Sequence, residues 1–201
     1  MIEVEKRNED LKKIKNELLV FKKSPLYKFR TDNKYFPVIG EGSHFAKIML
    51  VGEAPGKNEA LQGRPFCGAS GRVLNQLLES SGIKREDVYI TNIVKDRPPE
   101  NRDPTAEEKD MYAPFLDRQI EIIQPKVIAA LGRHSMEYLM MRFNLTPKLE
   151  PISQAHGKAF ETKASYGQIY IVALYHPAAS IYNIHLRPTL VEDFKIINSL
   201  V

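Results

Sequence analysis

The chain of 201 residues has one cysteine, Cys67, and no tryptophan. A single thiol excludes an internal disulfide and any metal site built from cysteines alone. No apolar stretch approaches the roughly 18 residues that a membrane-crossing helix needs. The opening segment MIEVEKRNEDLKKIK is charged and has no apolar core of a secretory signal. No block of five or six like charges occurs, nor an internal repeat or low-complexity tract. These absences lead us to expect an intracellular protein, of cytoplasm or nucleoid, with no membrane association. Histidine is scarce too. His44, His134, His156 and His185 are not linked by HxH or HxxxH spacing, so no metal site is expected.

What is present suits a folded domain. Apolar residues make up 43% of the chain, enough for a sizeable core, and the length fits a single domain over residues 1–201. The net charge of +4 permits nucleic-acid binding without establishing it, and any phosphate-binding face has to be assembled by the fold.

Residues 4–22 place Leu11, Ile14, Leu18 and Phe21 at helical spacing, which predicts an N-terminal helix (1–22) packed on the domain. Residues 23–44 are broken by Pro, Gly, Asn and Asp and read as irregular. Four short, nearly continuous apolar runs follow, at 45–52, 88–94, 126–132 and 169–176, as expected of strands buried on both faces. Helical patterns lie between and after them, at 70–82, 105–125, 133–143 and 188–201. Thr105 stands three before Glu108, a capping-box spacing, and Pro188 suits a first helical turn. The alternation predicts an α/β fold, a three-layer α/β/α sandwich around a central, mainly parallel four-stranded sheet.

Open α/β sheets bind ligands beyond the carboxyl ends of their strands. Here the first strand runs into Gly52-Glu53-Ala54-Pro55-Gly56, the second carries Asn92, and the third and fourth end at His134 and His176. An acid, an amide and two histidines are therefore expected to converge in one crevice. Each has a plainer reading. Glu53 can cap the turn after it, His176 can be a satisfied core residue, and Asn92 can tie down a neighbouring loop. The Gly-rich stretch LQGRPFCGASGRV either offers Phe66 as a stacking face or packs it in the core. It is neither a P-loop nor a GxGxxG turn, which argues against a nucleoside triphosphate. Cys67 has no activating neighbours in sequence and reads as an inert thiol.

The segments GEAPGKNEALQGRPFCGASGRVLNQLL, TNIVKDRPPENRDPTAEE, PFLDRQIEIIQPKVIAALG and HPAAS resemble, in order and spacing, the uracil-DNA glycosylase superfamily, and within it family 4. The resemblance covers residues 17 to 200. It implies an enzyme that flips uracil out of single- or double-stranded DNA and hydrolyses its N-glycosidic bond, acting as a monomer. It further implies roles. Glu53 and His176 would be catalytic, Glu53 by orienting water and His176 by donating to a uracil oxygen. Phe66 would stack on the base and Asn92 would read its pairing edge. Gly52, Ala54, Pro55 and Gly56 would line the base site, with Glu59 supporting the loop. Lys57, Ser70, Arg72, Lys95 and Arg97 would meet DNA phosphates, and Ile181 or Tyr182 would fill the gap left in the stack.

The sequence departs from that family at one point. Family 4 members hold a four-iron four-sulfur cluster on four cysteines, and the matching positions here are Phe21, Ser24, Asp96 and Tyr112. The expectation is a protein with no such cofactor, because these iron-sulfur clusters are held by cysteine thiolates. Two other functions stay open at this level. One is a catalytically inactive DNA-binding homologue. The other is a glycosylase for another deaminated base, such as hypoxanthine or xanthine.

Overall fold

The computed structural model describes residues 2–201. Its helices in chain order are α1 (Ile2–Leu19), α2 (Leu26–Asp32), α3 (Lys57–Gln62), α4 (Ala69–Ser80), α5 (Ala106–Ile123), α6 (Arg133–Arg142), α7 (Ile152–Ala155), α8 (Ala179–Tyr182) and α9 (Arg187–Ser199). The strands are β1 (Glu41–Gly42), β2 (Ile48–Gly52), β3 (Tyr89–Asn92), β4 (Val127–Leu131), β5 (Ala159–Ala164) and β6 (Gly167–Leu174). They form one sheet in the order β1-β3-β2-β4-β6-β5.

The four apolar runs become β2, β3, β4 and β6, which pair parallel with one another. β2 and β4 are buried at every position, because helices cover both faces. The sheet has six strands where the sequence predicts four. The two additions are antiparallel edges, β1 on β3 and β5 on β6. β1 has only two residues. β5 alternates exposed and half-buried residues and so lacks the continuous apolar signature of a central strand.

Two cores flank the sheet. Leu11, Ile14 and Leu18 of α1 pack with Tyr112, Leu116 and Ile120 of α5 and with Met136 and Leu139 of α6. On the opposite face, Val73, Leu74, Leu77 and Leu78 of α4 meet Leu190, Phe194 and Ile197 of α9. Burying each of these side chains contributes about 1.5–3 kcal/mol. Thr105 caps α5 as its spacing predicts. Its hydroxyl accepts from Glu108 N at 3.1 Å, and its own N–H donates to Glu108 Oε2 at 2.8 Å.

The segment expected to be irregular holds α2, whose seven residues bury only Leu26 and Arg30. Two buried positions are too few to register as periodicity.

The register places Gly52 beside Asn92 and Leu131 beside Leu174. The carboxyl ends of the four parallel strands therefore share one edge of the sheet. The chain beyond each end builds the site described next.

Candidate active site

At that edge two cavities meet. One, of about 190 Å³, is lined by Ala54, Gly56, Glu59, Phe66, Ser70, Asn92 and His176. The other, of about 260 Å³, is lined by Glu53, the 54–56 turn, the loop from Pro98 to Pro104, Gly132, His134 and His176. Ala54, Gly56 and His176 belong to both. A ligand occupying both cavities passes His176 on the way.

The smaller cavity depends on the absence of a side chain at Gly52. A Cβ there would stand 2.3 Å from Asn92 Oδ1 and 2.8 Å from Phe66 Cζ. Glycine thus lets the amide and the ring close on the strand end. Phe66 takes a left-handed φ of 47°, uncommon for an aromatic residue, and its ring centre lies 5.7 Å from that of His176. Gly71 permits this turn, since a Cβ would meet Phe66 O at 1.8 Å. Glu59 holds the next residues, accepting from Cys67 N at 3.1 Å and Gly68 N at 2.8 Å, which is the loop support the family pattern implies. Cys67 carries no charge here. Burial pushes its thiol up, and the Glu59 carboxylate adds to the effect.

His176 follows β6 and is fixed in one tautomer. Ala178 N donates to its Nδ1 at 3.1 Å, so the ring proton sits on Nε2. Burial lowers its pKa to about 4, and the nearby Glu59 carboxylate opposes this only in part. At neutral pH the ring is uncharged and offers one N–H donor.

Glu53 ends its strand in the larger cavity. Its Oε1 is buried without a hydrogen-bond partner, with Lys109 Nζ at 3.4 Å and His134 Nδ1 at 3.8 Å. Burial raises its pKa, His134 and Lys109 pull it back, and Asp103 adds to the rise. Asp103 Oδ2 in turn lies 3.0 Å from His134 Nε2. The loop carrying Asp103 turns sharply through Glu100 and Asn101, both at left-handed φ. Glu53, Asp103 and His134 stand close enough to share a cation. Lys109 already brings a positive charge to that spot, and nothing in the sequence reading asks for a metal there.

The structure therefore brings together Glu53, Asn92, His134 and His176, as the strand-end rule predicts, along with Phe66 and the 54–56 turn. Lys57 and Arg72 are exposed nearby and Ser70 lines the smaller cavity. Ile181 and Tyr182 project from α8, 48% and 89% exposed.

Two expectations need correction. Lys95 is fully buried and cannot reach a DNA phosphate; its amine head bonds inside the protein. Arg97 is turned inward as well. It donates to Asn101 Oδ1 at 2.7 Å and Tyr35 OH at 3.1 Å and holds the loop in place of facing solvent.

The sequence reading missed Asp103 and Lys109. Asp103 lies in the same loop as the flagged 95–99 segment, and following that loop to the start of α5 would have found it. Lys109 has no signal of its own, because only the packing of α5 brings it to Glu53.

The four positions that the family pattern gives to iron-sulfur ligands also converge, away from the two cavities. Tyr112 OH donates to Asp96 Oδ2 at 2.5 Å, and Ser24 Oγ lies 2.8 Å from Tyr112 OH. Because Tyr112 has given its hydrogen to Asp96, Ser24 donates to it. Phe21 packs edge-on against Tyr112, with ring centres 5.6 Å apart. Arg30 completes the knot. It bonds both Asp96 oxygens at 3.0 Å and the carbonyls of Leu18 and Leu19 at 2.9 and 2.8 Å. A phenyl, a hydroxyl, a carboxylate already paired and a phenol are not ligands for such a cluster. The residues present do not fit one.

A family model described as the uracil DNA glycosylase superfamily matches residues 39–195. The chain is 47% identical to the type-4 uracil-DNA glycosylase of Sulfurisphaera tokodaii, over 96% of this chain and 85% of that one. It is 43% identical to the type-4 uracil-DNA glycosylase of Archaeoglobus fulgidus, over 96% and 94%. Its identity to the type-5 uracil-DNA glycosylase of Thermus thermophilus is 33%, over 70% and 68%.

Proposed function

The chain belongs to the uracil-DNA glycosylase superfamily, in its type-4 branch, and we propose that it excises uracil from DNA by hydrolysis, without an iron-sulfur cluster. One observation carries the reading. A small cavity holding an amide and an aromatic ring opens, at a neutral histidine, onto a second cavity holding a carboxylate. A flipped nucleotide fits that division, with its base in the first cavity and its sugar in the second.

The chemistry follows from charge. Cleaving the C1′–N1 bond leaves its electron pair on uracil and oxocarbenium character on the sugar. Nε2–H of His176 donates to a uracil oxygen as that charge develops, an effect worth about 3–4 kcal/mol for one oriented donor. A neutral ring is suited to the task because no counter-charge is needed in the empty pocket. Glu53, ionised, faces the cationic sugar and orients the water that adds to C1′. The water's surplus proton passes through Glu53 to solvent. Asn92 both donates and accepts, matching the carbonyl and ring N–H at uracil's pairing edge. Cytosine reverses that pattern and would strand buried groups at about 1–3 kcal/mol each. Phe66 supplies the stacking face that replaces the duplex neighbours.

Lys57, Arg72 and Ser70 hold the flanking phosphates, and Ile181 or Tyr182 enters the vacated stack. The protein acts as a monomer on uracil in single- or double-stranded DNA. No helix among the described residues is long and apolar enough to cross a membrane.

Release of uracil from single- and double-stranded uracil DNA tests the proposal, with enzyme in excess and hypoxanthine and xanthine substrates alongside. Wild type releases uracil, and His176→Ala, Glu53→Ala and Asn92→Ala each lose activity while remaining folded. Tight DNA binding without release of any base would instead identify an inactive binding module.

A further inference from the structure

The turn that follows β3 holds a buried lysine that the chemistry above does not use. Nζ of Lys95 lies 2.6 Å from Asn92 O, 2.7 Å from Thr91 Oγ1 and 2.6 Å from Gln119 Oε1. Two of the three are carbonyl oxygens and only accept, while the hydroxyl can also donate. Asn92 O is a carbonyl. Thr91 Oγ1 also lies 2.8 Å from Ile39 O. The Gln119 amide nitrogen donates to Ile39 O at 2.8 Å and Tyr89 OH at 3.0 Å, which leaves Oε1 as an acceptor. Burial pushes the head toward the neutral amine. That amine donates to the two carbonyl oxygens and accepts from the Thr91 hydroxyl, and an ammonium donates to all three, so the head is held in place in either state.

The place of this head matters more than its charge. Residues 92–95 form the turn in which the ends of β2 and β3 are joined. Ile93 N donates to Gly52 O at 2.9 Å and Val94 N to Glu53 O at 3.0 Å. Val38 N donates to Lys95 O at 2.7 Å. The Lys95 side chain folds back three residues and closes the turn on the carbonyl of Asn92. Gln119 anchors the far side to α5.

We propose that Lys95 is a positioning residue for base excision: its buried amine head closes the 92–95 turn and so fixes the Asn92 amide and the Glu53 carboxylate relative to one another. This rests on the reading of the site as a uracil pocket. Lys95 touches neither base nor DNA, and it acts through the backbone that carries two groups which do.

The test uses the full chain with Lys95→Met, which keeps the volume and removes the donors, and Thr91→Val, which removes one partner. Melting temperature, uracil-excision kinetics and the NMR signal of the Asn92 side-chain amide are read for each. In Lys95→Met, kcat falls about 100-fold, as a reacting group displaced by about 1 Å allows. KM for uracil DNA stays within about twofold, since the phosphate contacts are untouched. The Asn92 amide signal shifts or broadens. Thr91→Val, which keeps two of the three bonds, loses about threefold to tenfold in kcat, near the weight of one hydrogen bond. If Lys95→Met does not fold, Thr91→Val decides. Wild-type kcat with an unmoved Asn92 signal overturns the proposal. So does a loss of activity that only tracks the fraction unfolded. Absence of excision by wild type would refute the uracil reading alone, and the Asn92 signal would still decide the role of Lys95.

Discussion

Gly52→Ala adds a single methyl group where the smaller cavity is tightest. The φ of Gly52 lies outside the left-handed range, so alanine imposes no backbone strain and the whole cost falls on contacts. The new Cβ would lie 2.3 Å from Asn92 Oδ1 and 2.8 Å from Phe66 Cζ. Restoring ordinary contact moves the amide by about 1 Å and the ring tip by about 0.7 Å. Both are the far ends of side chains that can swing, so the stability loss is held to about 1 kcal/mol, at the low end for overpacking. Catalysis has no such latitude. A base reader displaced by about 1 Å costs about 100-fold in rate, or roughly 2.7 kcal/mol of barrier. Single-turnover release of uracil under saturating enzyme measures the rate, and a denaturant melt measures stability. A large loss of rate with a nearly unchanged melt supports the geometry. Excision within about threefold of wild type would refute the claim that the Asn92 and Phe66 positions set the rate.

Three further outcomes follow from the same coordinates. Lys109→Met removes one of the two groups that pull the raised Glu53 pKa back down. The acid limb of the kcat/KM profile therefore moves to higher pH, and an unmoved limb would detach Lys109 from Glu53. His176, with a folded pKa of about 4, keeps its NMR ring signals flat from about pH 8 to about pH 5, and a midpoint near 6.5 would contradict its burial. The unfolded chain takes up that proton first, so stability is full above about pH 6.5 and falls by up to about 3 kcal/mol as pH drops toward 4. Asp96→Ala leaves Arg30 buried and unpaired and destabilises by about 3–5 kcal/mol in urea melts, and a loss under about 1 kcal/mol would show that the knot contributes little.

Much of this architecture was legible in the sequence, for identifiable reasons. Strands buried on both faces write themselves as continuous apolar runs: β2, β3 and β4 lie within their runs, and β6 begins two residues before its own. The capping pair Thr105 and Glu108 is local chemistry and needs no tertiary context. The convergence of Glu53, Asn92, His134 and His176 follows from parallel topology alone, because the strand ends share an edge. What could not be read depends on packing between distant segments. α2 and β5 bury too little to leave a pattern. Lys109 reaches Glu53, and Gln119 reaches Lys95, only once α5 has docked. Lys95 shows the limit most clearly. A lysine beside prolines in a loop reads as a solvated, phosphate-binding cation, yet three oxygens from β3 and α5 draw it inside. The four cluster positions show the converse. The family resemblance picked out Phe21, Ser24, Asp96 and Tyr112, and they meet in space as one knot with Arg30.

The proposed site works while the knot of Arg30, Asp96, Tyr112 and Ser24 stands at the positions that the family pattern gives to iron-sulfur ligands. The most direct measurement is uracil release per mole of protein, with iron determined on the same samples from iron-rich and iron-starved cultures. The account predicts full and equal activity in both, with iron far below one atom per chain and no visible cluster absorption. Activity that rises and falls with bound iron would contradict it.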